Sequence, residues 1–120
     1  MQPTFLPWIG YFKMIINSDL FILLDDVQFD KRSFQQRNQI LINGKKEFIT
    51  VPVLTKNKFN QKIKDVQIQK DIDWIKKHKK KIKYNYSSHE NFSEYYFILE
   101  NIYDRNHSKL VDLNYDIIIS

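Results

Sequence analysis

Residues 38–53 read N-Q-I-L-I-N-G-K-K-E-F-I-T-V-P-V, and this stretch decides the fold class of the chain. Asn43-Gly44 at its centre is typical of a type I′ turn, because both central positions of that turn need a positive φ. After the turn, Phe48, Thr50 and Pro52 alternate with Ile49, Val51 and Val53. We therefore predict a β-hairpin in which residues 38–42 lead into the turn and residues 45–53 lead out of it.

The segment before the hairpin predicts one helix and one strand. After Pro7, which suits the first turn of a helix, Ile9, Phe12 and Ile16 repeat at helical spacing. Residues 20–24 are a continuous apolar run that is typical of a buried strand. The chain has only two glycines, at positions 10 and 44, and we expect both at tight turns.

The segment after the hairpin predicts a short strand over residues 63–68 and three helices. Each helix begins near a candidate cap and continues with apolar residues at helical spacing. The caps are Asp71, Ser93 and Ser108. The expected buried faces are Ile72, Ile75, Ile82 and Tyr86, then Tyr95, Ile98, Leu99 and Ile102, then Leu110, Leu113 and Ile117. This order predicts an α/β or α+β fold, in which a short mixed sheet with the hairpin is followed by C-terminal helices.

The composition is that of a folded protein, with 42% hydrophobic and 15% aromatic residues in 120, and we expect a single domain over residues 1–120. The absence of cysteine excludes disulfides and thiolate metal sites. The three histidines show no metal-ligand spacing, and the sequence assigns no cofactor. No apolar run approaches the roughly 20 residues of a spanning helix, and no signal peptide is visible. We therefore expect a cytoplasmic protein without a transmembrane segment.

The formal net charge of +5 is concentrated in the lysine-rich residues 76–83. Such a run can attract nucleic acid, but no recognised binding motif accompanies it. A solvated helix face is the simpler interpretation, so nucleic acid is not the partner that we expect.

Two adjacent carboxylates, Asp25 and Asp26, follow the predicted strand of residues 20–24. Neighbouring side chains on an extended chain point to opposite faces, so the two carboxylates cannot aim at one point unless the strand turns. One of them could act as a base or bind a cation while the other caps the next turn. The alternative is that both simply end the strand.

A second polar group lies between the carboxylates and the hairpin and comprises Gln28, Lys31, Arg37 and Asn38. The lysine and the arginine could hold a phosphate, and the amides could recognise a sugar or an amide. A solvated polar loop is the alternative interpretation.

Three motifs together resemble the WbqC-like protein family: Q-P-T-F-L-P-W-I-G-Y-F at residues 2–12, D-L-F-I-L-L-D-D-V-Q-F at 19–29 and R-N-Q-I-L-I-N-G at 37–44. That family is associated with O-antigen (lipopolysaccharide) and other surface-polysaccharide biosynthesis in bacteria. The resemblance implies a transferase acting on a nucleotide-linked or amino sugar. A non-catalytic partner of a biosynthetic enzyme and a truncated inactive member are the alternatives. Family members are longer, so we expect residues 1–120 to be an N-terminal portion.

The matched motifs and the two polar groups together yield a set of candidate site residues. The catalytic candidates are Asp25 and Asp26, no metal ligand is assigned, and the substrate-binding candidates are Gln2, Pro7, Gly10, Tyr11, Gln28, Lys31, Arg37 and Asn38. Residues 8–11 also occupy the place of the H-x-G-H turn of nucleotidylyltransferases. An incomplete nucleotide-binding-like fold therefore stays open, but catalysis of the H-x-G-H type is not expected because both histidines are absent.

Overall fold

The computed structural model describes residues 1–7, 9–56, 58 and 60–119, and the predictions that involve Trp8 lie outside them. The described residues form four α-helices, one hairpin and a 3₁₀ turn at Ile63–Asp65. The elements are α1 (Ile9–Ile16), β1 (Arg37–Ile42), β2 (Lys45–Thr50), α2 (Trp74–Tyr86), α3 (Phe92–Asp104) and α4 (Leu110–Ile119). This is an α+β architecture, which confirms the predicted fold class.

The hairpin forms where Asn43-Gly44 predicts it, with φ values of 52° and 78° at these two residues. β1 and β2 pair as antiparallel strands, with Asn38 opposite Ile49. No atom lies within 4 Å of a Cβ built on Gly44, so the positive φ rather than space explains the glycine. Among the described residues this two-stranded sheet is the only sheet, whereas the sequence predicted a short mixed one.

Helix α2 accepts hydrogen bonds from two backbone donors of the hairpin, one on β1 and one in the turn. The N–H of Leu41 donates to the hydroxyl of Tyr86 at 2.9 Å, and the N–H of Asn43 donates to Oδ1 of Asn85 at 3.1 Å. Unpaired edge donors are a liability in a small sheet. These two side chains therefore complete the hairpin and join it to the helices.

The core lies between the inner side of the hairpin and the three later helices. Burying one large apolar side chain contributes roughly 1.5–3 kcal/mol. The buried apolar residues come mainly from the strand exit, the 3₁₀ turn and the helices, and include Ile49, Val51, Val53, Ile63, Val66, Trp74, Ile102, Tyr103, Leu110, Leu113 and Ile117. The predicted face of α4 is thereby confirmed.

The predicted strand over residues 20–24 is wrong, because this segment is irregular and belongs to no sheet. The side chains of Leu20, Ile22 and Leu24 are exposed. Two backbone hydrogen bonds join the segment to Met1, whose ammonium donates to the carbonyl oxygen of Ile22 at 2.9 Å and whose carbonyl accepts from the N–H of Leu24 at 2.6 Å. An apolar run forms a buried strand only where neighbouring strands cover it, and here no described strand does so.

Two other local predictions are also wrong. Residues 63–68 form a 3₁₀ turn and isolated bridges, including Val53 with Ile68, rather than a strand. Gly10 lies inside α1 rather than in a tight turn with positive φ.

The predicted buried faces of α1, α2 and α3 are correct only in part. In α1, Ile9 and Ile16 are exposed, and the buried residue is Tyr11. In α2, which begins after Asp73 rather than Asp71, the buried residues are Trp74 and His78. In α3 the buried residues are Ile102 and Tyr103, whereas Tyr95 and Ile98 are exposed. Aromatic side chains therefore occupy buried positions that the spacing of the aliphatic residues did not predict.

Candidate functional site

The N-terminal turn, α1 and the start of β1 enclose a cavity of about 610 Å³, here called the N-terminal cavity. Ligand sites for small molecules have volumes of about 300–1,000 Å³. The lining residues are Met1, Gln2, Thr4, Pro7, Tyr11, Phe34, Asn38 and Gln39. Four of the predicted substrate-binding residues, Gln2, Pro7, Tyr11 and Asn38, are thus brought together.

The wall of the cavity is a turn that the start of β1 holds in place. Leu6 has a φ of 47°, a left-handed conformation that costs roughly 1–2 kcal/mol in a residue with a Cβ. Nδ2 of Asn38 donates to the carbonyl oxygen of Leu6 at 2.7 Å and more weakly to that of Phe5 at 3.4 Å. The N–H of Phe5 also donates to the carbonyl oxygen of Phe34 at 2.9 Å. The hairpin and the turn therefore form one unit.

Tyr11 also lines the cavity, and its hydroxyl donates to the carbonyl oxygen of Gln2 at 2.9 Å. Burial, with a smaller contribution from Tyr115, raises the pKa of Tyr11 to about 12, so its hydroxyl keeps its proton at neutral pH. Tyr115 in turn donates to Oδ2 of Asp25 at 3.1 Å. The Asp25 carboxylate is therefore bonded to a residue of α4.

The side chain of Gln2 is held by a buried residue that the sequence analysis did not identify. Nε2 of Gln35 donates to Oε1 of Gln2 at 2.7 Å, and Oε1 of Gln35 accepts from the N–H of Asp30 at 3.0 Å. From α4, Nδ2 of Asn114 donates to the carbonyl oxygen of Gln35 at 2.9 Å. No local signal marks Gln35 or Asn114, because their roles depend on contacts between distant parts of the chain.

Apart from the ammonium of Met1, the cavity is lined by neutral groups. Its polar side chains are amides and hydroxyls, and none of its lining residues is Asp, Glu, Lys, Arg or His. The ammonium of Met1 is engaged with the carbonyl oxygen of Ile22. Oγ1 of Thr4 is buried and has no hydrogen-bond partner among the described residues. Such a lining suits an uncharged ligand with both hydroxyl or amide groups and an apolar face.

The two predicted catalytic carboxylates point in different directions. Asp25 faces Tyr115, whereas Asp26 pairs at the surface with Lys62 at 2.9 Å and Lys64 at 3.6 Å. The hydrogen bond from Lys62, followed by the charges of both lysines, holds the pKa of Asp26 below its usual value. Neither carboxylate lines the N-terminal cavity.

The remaining predicted residues also lie outside the cavity lining. Nε2 of Gln28 donates to Oδ1 of Asn60 at 3.3 Å, and the guanidinium of Arg37 lies 3.9 Å from the ring centroid of Phe48. Lys31 is exposed. Gly10 borders a separate surface depression beside Lys13, Met14, Asn17, Ser18 and Phe21. The predicted phosphate-binding pair is therefore not assembled in this cavity.

The described residues contain no group of three or more His, Asp or Glu side chains that could hold a metal ion. No helix in the described ranges has both the length and the apolar character needed to cross a membrane.

Comparison with known proteins places these features in a family context. The model of the WbqC-like protein family matches residues 2–120. A protein of Mycobacterium tuberculosis, described as uncharacterized, is 39% identical over 115 residues, which cover 95% of this chain and 49% of that protein. The chain thus spans about half the length of this curated relative. No solved structure matches the chain.

Proposed function

The chain belongs to the WbqC-like protein family, and on this premise we propose that it is a transferase of bacterial surface-polysaccharide (O-antigen) biosynthesis acting on a nucleotide-linked or amino sugar. One observation supports the proposal most directly. Four residues of the family-like motifs, Gln2, Pro7, Tyr11 and Asn38, line one cavity of ligand size. In this proposal the N-terminal cavity receives the sugar.

The chemistry of the cavity lining matches a sugar better than a phosphate. A sugar presents hydroxyl groups at its edges and C–H groups on its faces, so it needs amide and hydroxyl partners beside an apolar surface. The exposed residues Gln2 and Gln39 supply the polar groups, and the largely exposed ring of Phe34 supplies an apolar surface at the rim. A phosphate would need cationic or backbone N–H donors, and no cationic side chain lines this cavity.

The diphosphate of a nucleotide-linked sugar would then lie outside the cavity. Arg37 does not line the cavity, and its guanidinium lies over the ring of Phe48 instead. It remains, with Lys31, a proposed phosphate ligand at the cavity exterior.

Of the two carboxylates, Asp25 is the better candidate for a general base. Transfer to a hydroxyl or amine requires a group that takes up the proton of the attacking atom. The lysines that lower the pKa of Asp26 make it a weaker base. Asp25 instead accepts its hydrogen bond from the hydroxyl of Tyr115 rather than from a cation.

Isothermal titration with N-acetyl-D-glucosamine, D-glucosamine and UDP-N-acetylglucosamine tests the binding part of the proposal. We expect at least one probe to bind, and Gln39→Ala to weaken that binding several-fold by removing a lining amide. Gln67→Ala, at an exposed glutamine outside the cavity lining, is the matched control and should leave binding unchanged. Equal binding by both variants would argue against this cavity as the sugar site.

A non-catalytic role as partner of a biosynthetic enzyme is the second candidate. It is favoured by the exposed apolar side chains of Ile9, Leu20 and Ile22, which are 85%, 77% and 59% accessible. Folded protein that binds none of the three probes, yet elutes together with a purified sugar-nucleotide enzyme, would support this role over the transferase.

A further inference from the structure

The hydrogen bonds around Gln35 determine which end of the Gln2 amide faces the N-terminal cavity. The backbone N–H of Asp30 can only donate, so the atom of Gln35 that contacts it is Oε1, at 3.0 Å. Nε2 of Gln35 is then the atom directed at Gln2, and as a donor it must meet an acceptor. The atom of Gln2 at 2.7 Å is therefore Oε1.

The Nε2 group of Gln2 is left as the available end of this amide. Gln2 is exposed and lines the cavity, and its Nε2 has no hydrogen-bond partner among the described residues. An amide nitrogen donates and does not accept. The backbone N–H of Asp30 thus determines which atoms of the Gln35 and Gln2 amides donate and which accept. The last donor in this series of hydrogen bonds is Nε2 of Gln2, at the cavity.

Gln35 is rigidly placed for this task. Its side chain is only 5% accessible, its carbonyl oxygen accepts from Asn114 of α4, and its N–H donates to Oγ of Ser33 at 3.2 Å. The conformational cost of ordering the Gln35 side chain is thus met by folding rather than by ligand binding. Preorganisation of this kind favours one ligand orientation over others.

We propose that Gln35 is a positioning residue that fixes the Gln2 amide, and that Nε2 of Gln2 selects a ligand group with an oxygen acceptor over one with an ammonium. The inference rests on the proposed sugar site and narrows its substrate class. A hydroxyl or an N-acyl carbonyl can accept from Nε2, whereas the protonated amine of a free amino sugar cannot. The preferred amino sugar is therefore N-acylated.

The test compares the Kd values of N-acetyl-D-glucosamine and D-glucosamine at pH 6, where the amine of the second sugar is protonated. We expect the wild-type chain to favour the N-acetyl sugar by at least about tenfold. Gln35→Leu should bring the ratio close to one, because the released Gln2 amide can rotate and present Oε1. If the role of Gln35 is purely structural, Gln35→Leu should weaken the binding of both sugars equally and leave the ratio of their Kd values unchanged.

A second variant keeps the inference testable if Gln35→Leu does not fold. Gln2→Glu retains an oxygen for Gln35 but replaces the donor with a carboxylate oxygen, so it should reverse the preference toward D-glucosamine. Gln67→Glu, at an exposed position outside the cavity lining, adds the same charge and should keep the wild-type ratio. An unchanged ratio in Gln2→Glu would overturn the inference.

A measurement without ligand separates failure of this inference from failure of the proposed function. The side-chain ¹⁵N order parameter of Gln2 should be high in the wild type and should fall in Gln35→Leu. If neither sugar binds the wild type, the sugar site itself is refuted, and the order parameters still decide whether Gln35 positions Gln2. If the sugars bind but both the ratio and the order parameter stay the same, only the positioning role is refuted.

Discussion

Nδ2 of Asn38 lies 2.7 Å from the carbonyl oxygen of Leu6 and donates a hydrogen bond to it. Leu6 stands just before Pro7 in a left-handed conformation that its side chain disfavours. Asn38 is the second residue of β1, so its position follows from the hairpin register. The hairpin therefore shapes the N-terminal turn, and with it the wall of the cavity.

Asn38→Asp tests this relationship between the hairpin and the turn. The substitution removes the donor and places a carboxylate oxygen against two carbonyl oxygens. We expect a loss of about 1–3 kcal/mol in the free energy of unfolding, measured by urea denaturation with circular dichroism. Asn101→Asp, at an exposed position on α3, is the matched control and should change stability by less than about 0.5 kcal/mol. Equal losses in both variants would contradict the proposed role of Asn38.

Arg32→Gly should stabilise the protein. Arg32 is exposed and has a φ of 63°, a conformation that glycine adopts without a Cβ penalty. We expect a gain of up to about 1 kcal/mol, reduced by the greater freedom of glycine in the unfolded chain. Thermal unfolding of the variant should show a higher Tm. The same change at the exposed neighbour Lys31, which does not have a positive φ, should lower the Tm instead.

Gly44→Ala should weaken the hairpin even though space is available for the new methyl group. The φ of Gly44 is 78° and nothing lies within 4 Å of an added Cβ, so the effect isolates backbone strain. We expect a destabilisation of roughly 1–2 kcal/mol. Gly44→Asn should cost less, because asparagine tolerates this conformation better than alanine. Chemical denaturation of the two variants side by side checks the order, and equal costs would point away from φ as the cause.

His78 should make the stability of the protein sensitive to acid. Its Nε2 donates to the carbonyl oxygen of Thr50 at 2.7 Å, and in the neutral form of this buried imidazole its Nδ1 accepts from the hydroxyl of Tyr103 at 3.1 Å. Burial lowers the pKa of His78 to about 4, whereas the unfolded chain has the ordinary value of about 6.5. Below about pH 6.5 the unfolded state binds the extra proton, so stability falls as the pH drops toward 4.

Between about pH 6.5 and pH 4, we expect the free energy of unfolding to fall by up to about 1.4 kcal/mol for each pH unit. Urea denaturation between pH 7 and pH 4.5 measures it. His78→Gln can still donate to Thr50 but does not titrate, so we expect lower stability at pH 7 and a flatter pH dependence. His89→Gln, at an exposed histidine, should retain the wild-type slope. A slope that is the same in wild type and His78→Gln would show that other groups carry the acid sensitivity.

The candidate site was only partly predictable. Gln2, Pro7, Tyr11 and Asn38 lie in family-like motifs, and the structure brings them to one cavity. Asp25 and Asp26 were predicted to diverge if the chain is extended there, and they do. Their catalytic role stays a prediction. Gln35 went unidentified because a glutamine in a polar loop carries no signal of burial, and its support from Asn114 spans 79 residues.

The sequence by itself determined the features that depend on local backbone energies and short periodicities. Asn43-Gly44 specified the hairpin because few residues adopt a positive φ at low cost, and the spacing of Leu110, Leu113 and Ile117 specified the buried face of α4. Only the tertiary structure decided which aromatic side chains are buried, that the apolar segment 20–24 lies outside any sheet, and that Gln35 faces Gln2. Those outcomes depend on which distant surfaces meet, because burial and hydrogen-bond satisfaction are properties of the packed chain rather than of any local stretch.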